Sequence, residues 1–359
     1  MASSSSSPAS TSTATPERIS ELAELLRSRI GGSIKEIASI NLQARVLAIN
    51  AQIEAARAGE AGRAFAVVGS EMAGFATSTE SAAKKLEQET EAVVRELADV
   101  SQKLATEVRG TRLGDLALTN IDLIDRNLYE RSCDCRWWAT DAAFVNALAS
   151  SGADSARHAG ERMAVILKAY TVYFDIVLAD LTGTIIANGR SETYPSKGTQ
   201  HAQAPWFTSA LQTANGDEFG FQTVHASPLA GGQRVLIYSC KVGRGGDARA
   251  EPLGVIGIVF NWDGLAQKIV HDTPTGTAGS SASRVCITDD KGFVLADSDD
   301  RLLQDTLALP GQAELFAKPK ASTVIDQGGR RQLVAHARSP GFETYRTGWH
   351  SVIIETLAK

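Results

Sequence analysis

AQIEAARAGEAGRAFAVVGSEM, Ala51 to Met72, decides the reading of the N-terminal third. Small residues dominate its first half, Gly59 and Gly62 bracket a break, and a hydrophobic pattern restarts at Phe65. Upstream, Ile30, Ile34, Ile37, Ile40, Ala44, Leu47 and Ala51 follow steps of three and four, with one pair of successive threes. Downstream, Phe65, Val68, Met72, Phe75, Thr79, Ala82, Leu86, Val93, Leu97, Val100 and Leu104 do the same with one position skipped. That is a heptad seam, the pattern of a coiled coil. After Pro16 no proline interrupts the run to Leu113. Two amphipathic arms around one glycine-containing turn predict an antiparallel helical hairpin. One hairpin cannot cover both apolar stripes, so a four-helix bundle formed by a homodimer is expected.

The alanines around the turn let helices approach closely. Asn50, Glu54 and Arg57 recur at steps of four and three, which puts them on one stripe near the tip. They read either as a polar contact surface or, for Glu54 and Arg57, as an intrahelical ion pair on a solvated face.

LQARVLAINAQIEAARAGEAGRAFAVVGSEM resembles the kinase-control tip of methyl-accepting chemotaxis receptors, through LAIN (Leu47–Asn50), IEAARAGE (Ile53–Glu60), Gly62-Arg63 and FAVV (Phe65–Val68). The resemblance implies inter-dimer contacts at Asn50, Glu54 and Arg57. It implies a coupling-protein surface at Phe65, Val67 and Val68, and the chemotaxis histidine kinase and coupling protein as partners. Arg45, Gln52 and the segment GSEMAGFATST depart from the family pattern, and no methylation pattern is found. Each arm is only about 40 residues, roughly 60 Å at helical rise.

Helical periodicity continues through NIDLIDRNLYERSCDCRWWATDAAFVNAL, with Ile124, Leu128, Cys135, Trp138, Ala142 and Val145 on one face. This helix either continues the return arm or follows an interruption at Gly110 to Gly114. The adjacent Trp137 and Trp138 point ~100° apart on a helix, so one is expected to pack outward against another element. After Tyr170 the period changes. VYFDIVLADLTGTIIANGR reads as strand, tight turn and strand, with Asp180 and Gly183 supplying the turn. RVCITDDKGFVLADSDD from Arg284 repeats it at a constant offset of 109, matching Asp180 to Asp289, Gly183 to Gly292 and Asn188 to Asp297. PLGVIGIVFNW and GWHSVIIETL each close a unit.

The long helix, the doubled strand-turn-strand and APWFTSAL at Ala204 to Leu211 resemble double Cache (PAS-like) sensor domains. The resemblance implies a small-molecule site in the first unit. Trp206 and Ala210 match the family's amino-acid-binding motif and Phe207 replaces a tyrosine. Ala204 stands where its arginine clamp belongs, Thr199 replaces a further tyrosine, and Val259 stands at the expected position of the aspartate. Burying the two charges of a free amino acid without partners is costly, so a less charged ligand is expected, or one held by Arg190, Tyr194 or Lys197. Core packing equally suits Trp206 and Phe207, and a solvated loop suits Arg190 and Tyr194.

The expected organisation is a flexible Ser/Thr/Ala/Pro tail over 1–16, the signalling hairpin over 17–113 with its tip near 59–62, and a connecting helix over 114–169. Cache-like modules follow over 170–270 and 271–359. The fold class is thus an all-α coiled-coil hairpin followed by an α+β sensor with a long N-terminal helix. A net charge of -5 argues against a nucleic-acid partner. No apolar run approaches the ~20 residues of a membrane span and no secretory signal is read, so a cytoplasmic protein with reduced Cys133, Cys135, Cys240 and Cys286 is expected. DSDDR at Asp297 to Arg301 lacks the spacing of a calcium loop and reads as a turn and helix cap. GRGGDAR at Gly243 to Arg249 reads as a hairpin loop. No catalytic, metal or cofactor motif is found. The resulting function is a chemoreceptor-like transducer and not an enzyme. A hairpin serving only as dimerisation scaffold for another partner is the alternative.

Overall fold

The computed structural model describes residues 16–150, 152–276 and 283–357; the tail expected over 1–16 lies, but for Pro16, outside them. The chain divides into two compact units, one ending at Arg109 and the other spanning Gly110–Lys359.

The first unit holds α1 (Pro16–Arg57), a 3-10 turn at Gly59–Gly62, and the N-terminal part of α2 (Arg63–Trp138). Gly59 sits at φ +57, a left-handed conformation that glycine adopts without penalty. Bonds between the helices run in opposite order along the chain. The Asn41 amide nitrogen donates to the Ala76 carbonyl at 2.7 Å, Arg45 pairs with Glu80 at 3.2 Å, and Ser20 meets Ser101 at 3.2 Å. The buried side of this pair is mostly small, with Ala23, Ala48, Ala55, Gly62, Gly69, Ala76 and Ser101, together with Ile34, Asn41 and Val94. A Cβ on Gly62 would lie 2.2 Å from the Ala55 carbonyl oxygen, so only glycine permits this spacing.

The apolar stripe read on the return arm is not covered within one chain. Phe65, Val68, Phe75, Val93 and Val100 are all more than half exposed in the single chain. Periodicity marks an apolar stripe but does not say which helix covers it. Within one chain the closest approach is made by the smallest residues, and the bulky stripe faces outward.

In the second unit α2 continues without a break at Gly110 or Gly114. At Gly110 a Cβ would lie 2.3 Å from the Ser322 hydroxyl, so glycine there serves close packing. The helix stops at Trp138, and α3 (Ala142–Ser150) starts where Asp141 accepts a hydrogen bond from the Ala143 backbone at 2.9 Å. Ala142 is therefore exposed, and Ala143, Phe144 and Ala147 carry the apolar face expected to pass through it. Trp138 packs edge-on against Tyr170 and Tyr173, whereas Trp137 is 68% exposed and so is not covered by a second element as expected, because it projects from the side of α2 away from the sheets. After α4 (Ala153–Ala169) come β1 (Tyr173–Asp180), β2 (Ile185–Asn188), α5 (Pro205–Gln212), β3 (Gly220–Ala226), β4 (Arg234–Gly243) and β5 (Pro252–Asn261). A short helix, α6 (Lys268–Asp272), precedes β6 (Ser283–Thr288), β7 (Val294–Asp297), α7 (Gln312–Phe316), β8 (Lys320–Gln327), β9 (Arg330–Arg338) and β10 (His350–Thr356).

The strands form two antiparallel sheets of matching order, β2-β1-β5-β4-β3 and β7-β6-β10-β9-β8. The repeat at offset 109 holds in the register. Val177 faces Asn188 and Cys286 faces Asp297, and both ladders shift at the equivalent step. Its cause is local: the Asp180 carboxylate accepts from the backbones of Thr182 and Thr184, and Asp289 accepts from Lys291 and Phe293. GRGGDAR forms the β4–β5 connection, as its glycines suggest. DSDDR caps no helix; its first residue ends β7, and Asp300 lies at φ +58.

One face of both sheets packs on α2 to α4 through Leu113, Ile121, Ile124, Leu128, Tyr173 and Ile353. Each such buried aliphatic contributes about 1.5–3 kcal/mol relative to exposure. The opposite faces are covered too, by α5 in the first module and by α7 in the second. Hence β5 is buried almost throughout its length and does not alternate.

Candidate functional site

Two regions carry the residues singled out in the sequence. At the tip of the first unit, Glu54 and Arg57 form an exposed ion pair at 2.9 Å, three residues apart on α1. Asn50 is exposed beside them, and Phe65, Val67 and Val68 present apolar side chains to solvent on α2. This tip is thus a polar stripe next to an uncovered apolar patch, raised on a seam of alanine and glycine.

The second region is the α5-covered face of the first module. Trp206 and Phe207 are buried there with Val177, Val235, Ile237, Val255 and Val259, and Ala204 and Tyr194 pack against the cluster. Trp206 lies flat enough on β5 that a Cβ on Gly257 would stand 3.1 Å from its ring, and its carbonyl accepts from Ser239 at 2.5 Å. His201 lies 5.8 Å from the Trp206 ring, and burial lowers its pKa from the ordinary 6.5. The structure therefore gathers Trp206, Phe207 and Tyr194 on one face. It does not bring Arg190 or Lys197 to it. The Arg190 guanidinium donates to the carbonyls of Leu167, Tyr173 and Phe174 at 2.9–3.1 Å. Lys197 is exposed at a separate cavity of about 430 Å³ beside Asp180, Thr184 and α4. Val259 and Ala204 leave this face without a carboxylate or a guanidinium at the two expected clamp positions.

Three carboxylates that the sequence reading passed over hold the unit together. Asp175, fully buried on β1, accepts from the backbones of Ile176, Gly189 and Arg190 and from the Asn188 amide. Burial pushes its pKa up, and these four donors oppose the rise. Asp134 on α2 accepts from the Tyr173 hydroxyl at 2.5 Å and sits 3.4 Å from the Arg131 guanidinium. Burial raises its pKa as well, against those two partners. Asp125, also fully buried on α2, accepts from Ser339 at 2.5 Å, the Gly341 backbone at 2.8 Å and the Thr347 hydroxyl at 2.8 Å. It ties the long helix to the β9–β10 connection. The signal was present as a lone acid in the stripe of Ile121, Ile124 and Leu128. A further bond joins the modules directly, Tyr238 to Tyr345 at 2.5 Å.

All four cysteines are unpaired, and burial pushes Cys240 and Cys286 up to about 12. Among the described residues no group of three or more His, Cys, Asp or Glu is placed to hold a metal ion.

Residues 2–121 match the family model of the methyl-accepting chemotaxis protein (MCP) signalling domain. Among similar proteins, methyl-accepting chemotaxis protein McpS of Pseudomonas putida is 40% identical over 84 residues, 23% of this chain and 12% of that protein. PscA of Pseudomonas syringae pv. tomato is 48% identical over 61 residues, 17% of this chain and 10% of that protein. The match therefore spans only a small part of these relatives. Among solved structures, the ligand-binding domain of the Campylobacter jejuni chemoreceptor Tlp3, in complex with 4-methylisoleucine, superposes with TM-score 0.52 at 13% identity, covering 70% of this chain and 92% of that one. The sensor domain of the V. cholerae histidine kinase DctB does so with TM-score 0.50 at 15% identity, covering 72% and 99%. The chain thus joins a segment resembling the chemotaxis signalling domain to a unit with the fold of chemoreceptor and kinase sensor domains.

These neighbours overturn the cytoplasmic placement. The sensor fold is that of receptor and sensor-kinase input domains, and the premises for a cytoplasmic site were absences. No described helix is long and apolar enough to cross a membrane, a fact that assigns no compartment.

Proposed function

We propose that the chain is a chemoreceptor-like transducer that binds a small molecule in its first sensor module and relays the event to the chemotaxis histidine kinase and coupling protein. The observation that carries this reading is α2 itself. One helix contributes to the signalling-type unit at its N-terminal end and to the sensor-fold unit at its C-terminal end. In this reading residues 17–113 are the signalling hairpin, 114–169 the connecting helices, and 170–270 and 271–359 the two Cache-like modules. The exposed stripe of Phe75, Val93 and Val100 is covered by a second copy, giving a four-helix bundle. Asn50, Glu54 and Arg57 make contacts between dimers, and Phe65, Val67 and Val68 meet the coupling protein.

The ligand enters at the face bearing Trp206, Phe207 and Tyr194. Apolar walls and the absence of both charged clamps favour a molecule of low charge over a free amino acid. Binding there displaces β1 relative to α2 through the Tyr173–Asp134 bond. The small-residue seam, with few bulky interlocks, provides two packings of similar energy for that displacement to bias. The process is binding and relay, without a chemical step.

The Glu54–Arg57 ion pair favours a second reading, in which the hairpin is only a dimerisation scaffold for another partner. Co-sedimentation of the full chain with the host's kinase and coupling protein separates the two. Sedimentation in a ternary complex, lost with Glu54→Ala, is expected of the transducer. No complex at tens of micromolar contradicts it and leaves the scaffold.

A further inference from the structure

The connection between β9 and β10, residues 339–349, folds on itself and touches both α2 and the first module. Phe342 and Tyr345 exchange two backbone hydrogen bonds, the Phe342 N–H to the Tyr345 carbonyl at 2.8 Å and the Tyr345 N–H to the Phe342 carbonyl at 2.9 Å. A pair closed in this way moves as one piece. Its two rings meet different neighbours. Phe342 lies on α2, with the Arg126 guanidinium 4.4 Å from its ring centre and Tyr129 meeting it edge-on at 5.4 Å. Tyr345 enters the first module, where its hydroxyl meets that of Tyr238 at 2.5 Å and its ring lies 6.0 Å from Phe219. The Asp125 carboxylate grips the stems of the same connection at Ser339, Gly341 and Thr347.

Tyr238 sits on β4 between two residues that face the other way. Ile237 belongs to the buried cluster of Trp206 and Phe207, and the Ser239 hydroxyl donates to the Trp206 carbonyl. Alternate side chains of a strand point to opposite faces, so β4 carries the proposed ligand face on one side and the Tyr345 contact on the other. Tyr238 and Tyr345 are both buried. In so dense a packing, a displacement of β4 either breaks the hydroxyl pair or moves the hairpin with it.

We propose that the Phe342–Tyr345 hairpin is a lever through which the first module acts on α2 by way of the second, with Tyr238 as its input and Asp125, Arg126 and Tyr129 as its output. It gives α2 a second point of control besides the Tyr173–Asp134 bond. What displaces β4 rests on the ligand face proposed above; the mechanical link itself does not.

Hydrogen exchange of the full chain, read by mass spectrometry, tests the link without ligand or kinase. The segments to follow are 121–130 of α2, 219–240 of β3 and β4, the connection 339–349 and, as reference, 153–169 of α4. Tyr238→Phe removes one hydroxyl and keeps the ring. It is expected to speed exchange in 339–349 and 121–130 about three-fold or more, within what one lost buried hydrogen bond allows, and to leave 153–169 unchanged. Coupling is reciprocal, so Asp125→Asn is expected to speed exchange in 219–240. Tyr173→Phe, which cuts the other contact with α2, is expected to leave 339–349 unchanged. The proposal is overturned if Tyr238→Phe alters only 219–240, if every segment speeds up equally, or if Asp125→Asn leaves 219–240 as it was. An effect of Tyr173→Phe on 339–349 as large as that of Tyr238→Phe overturns it too. Each of these results leaves the transducer reading standing, and a failed kinase assay leaves a measured link standing.

Discussion

Asp125→Ala tests whether the long helix is fastened to the second module as the structure has it. The carboxylate is fully buried and accepts from the Ser339 hydroxyl, the Gly341 backbone and the Thr347 hydroxyl, with a longer contact at 3.4 Å from the Thr347 backbone. Removing it leaves buried donors without an acceptor, at about 1–3 kcal/mol each. The two hydroxyls can rotate toward other acceptors, whereas the Gly341 N–H cannot. A net destabilisation of about 2–4 kcal/mol follows. For a unit of this size about 1 kcal/mol moves Tm by roughly 2–4 °C, so the melting temperature is expected to fall by roughly 4–16 °C. Asp125→Asn keeps one acceptor oxygen and is expected to fall by less. Differential scanning calorimetry of the full chain reads both. A Tm within about 1 °C of wild type for Asp125→Ala would refute the reasoning, because the clasp would then contribute nothing.

His336 and His350 are buried side by side, Nδ1 to Nδ1 at 3.3 Å under Phe316, and burial lowers both pKa values from 6.5 to about 4, with Arg338 adding to the fall and Asp290 opposing it at His350. The unfolded chain takes up protons near pH 6.5 and the folded chain only near pH 4, so stability should decrease as pH falls through that window, by on the order of 3 kcal/mol for each such histidine. Urea denaturation at pH 7 and pH 4.5 measures this, and a smaller drop in His336→Gln is expected. Gly62→Val places side-chain atoms against the Ala55 carbonyl and should loosen the tip by about 1–3 kcal/mol, read as faster limited proteolysis near residues 58–63. Val93→Glu together with Val100→Glu adds charges to an exposed stripe. Sedimentation equilibrium should change from dimer to monomer with the C-terminal unit's melting unaltered, and a monomeric wild type would contradict the bundle.

Legibility in the sequence followed the range of the interactions. The strand-turn-strand repeat could be read because Asp180 and Asp289 make their turns from bonds within four residues. The α2–α3 break was missed although Asp141 is a common type of helix cap, because the apolar period runs across it in number if not in space. Which helices meet within one chain was not legible for a different reason. Bulky residues give the stronger periodic signal, but the intrachain contact belongs to Ala48, Ala55, Gly62 and Ala76. On the α5-covered face, the apolar side chains of Ala204 and Val259 were legible, since residue type alone decides them. The retreat of Arg190 onto three carbonyls was not, since it depends on where β1 and α4 meet. Asp125 is the same case: its partners lie more than 200 positions away, at Ser339 and Thr347.

The central claim is that this chain controls a kinase through its tip. Autophosphorylation of the host's chemotaxis histidine kinase, with coupling protein present, should be measured with wild-type chain and with Glu54→Ala. The transducer predicts that the wild-type chain changes the rate several-fold and that Glu54→Ala returns it to the level of kinase and coupling protein alone. A rate that is the same with either chain, or with none, would contradict it.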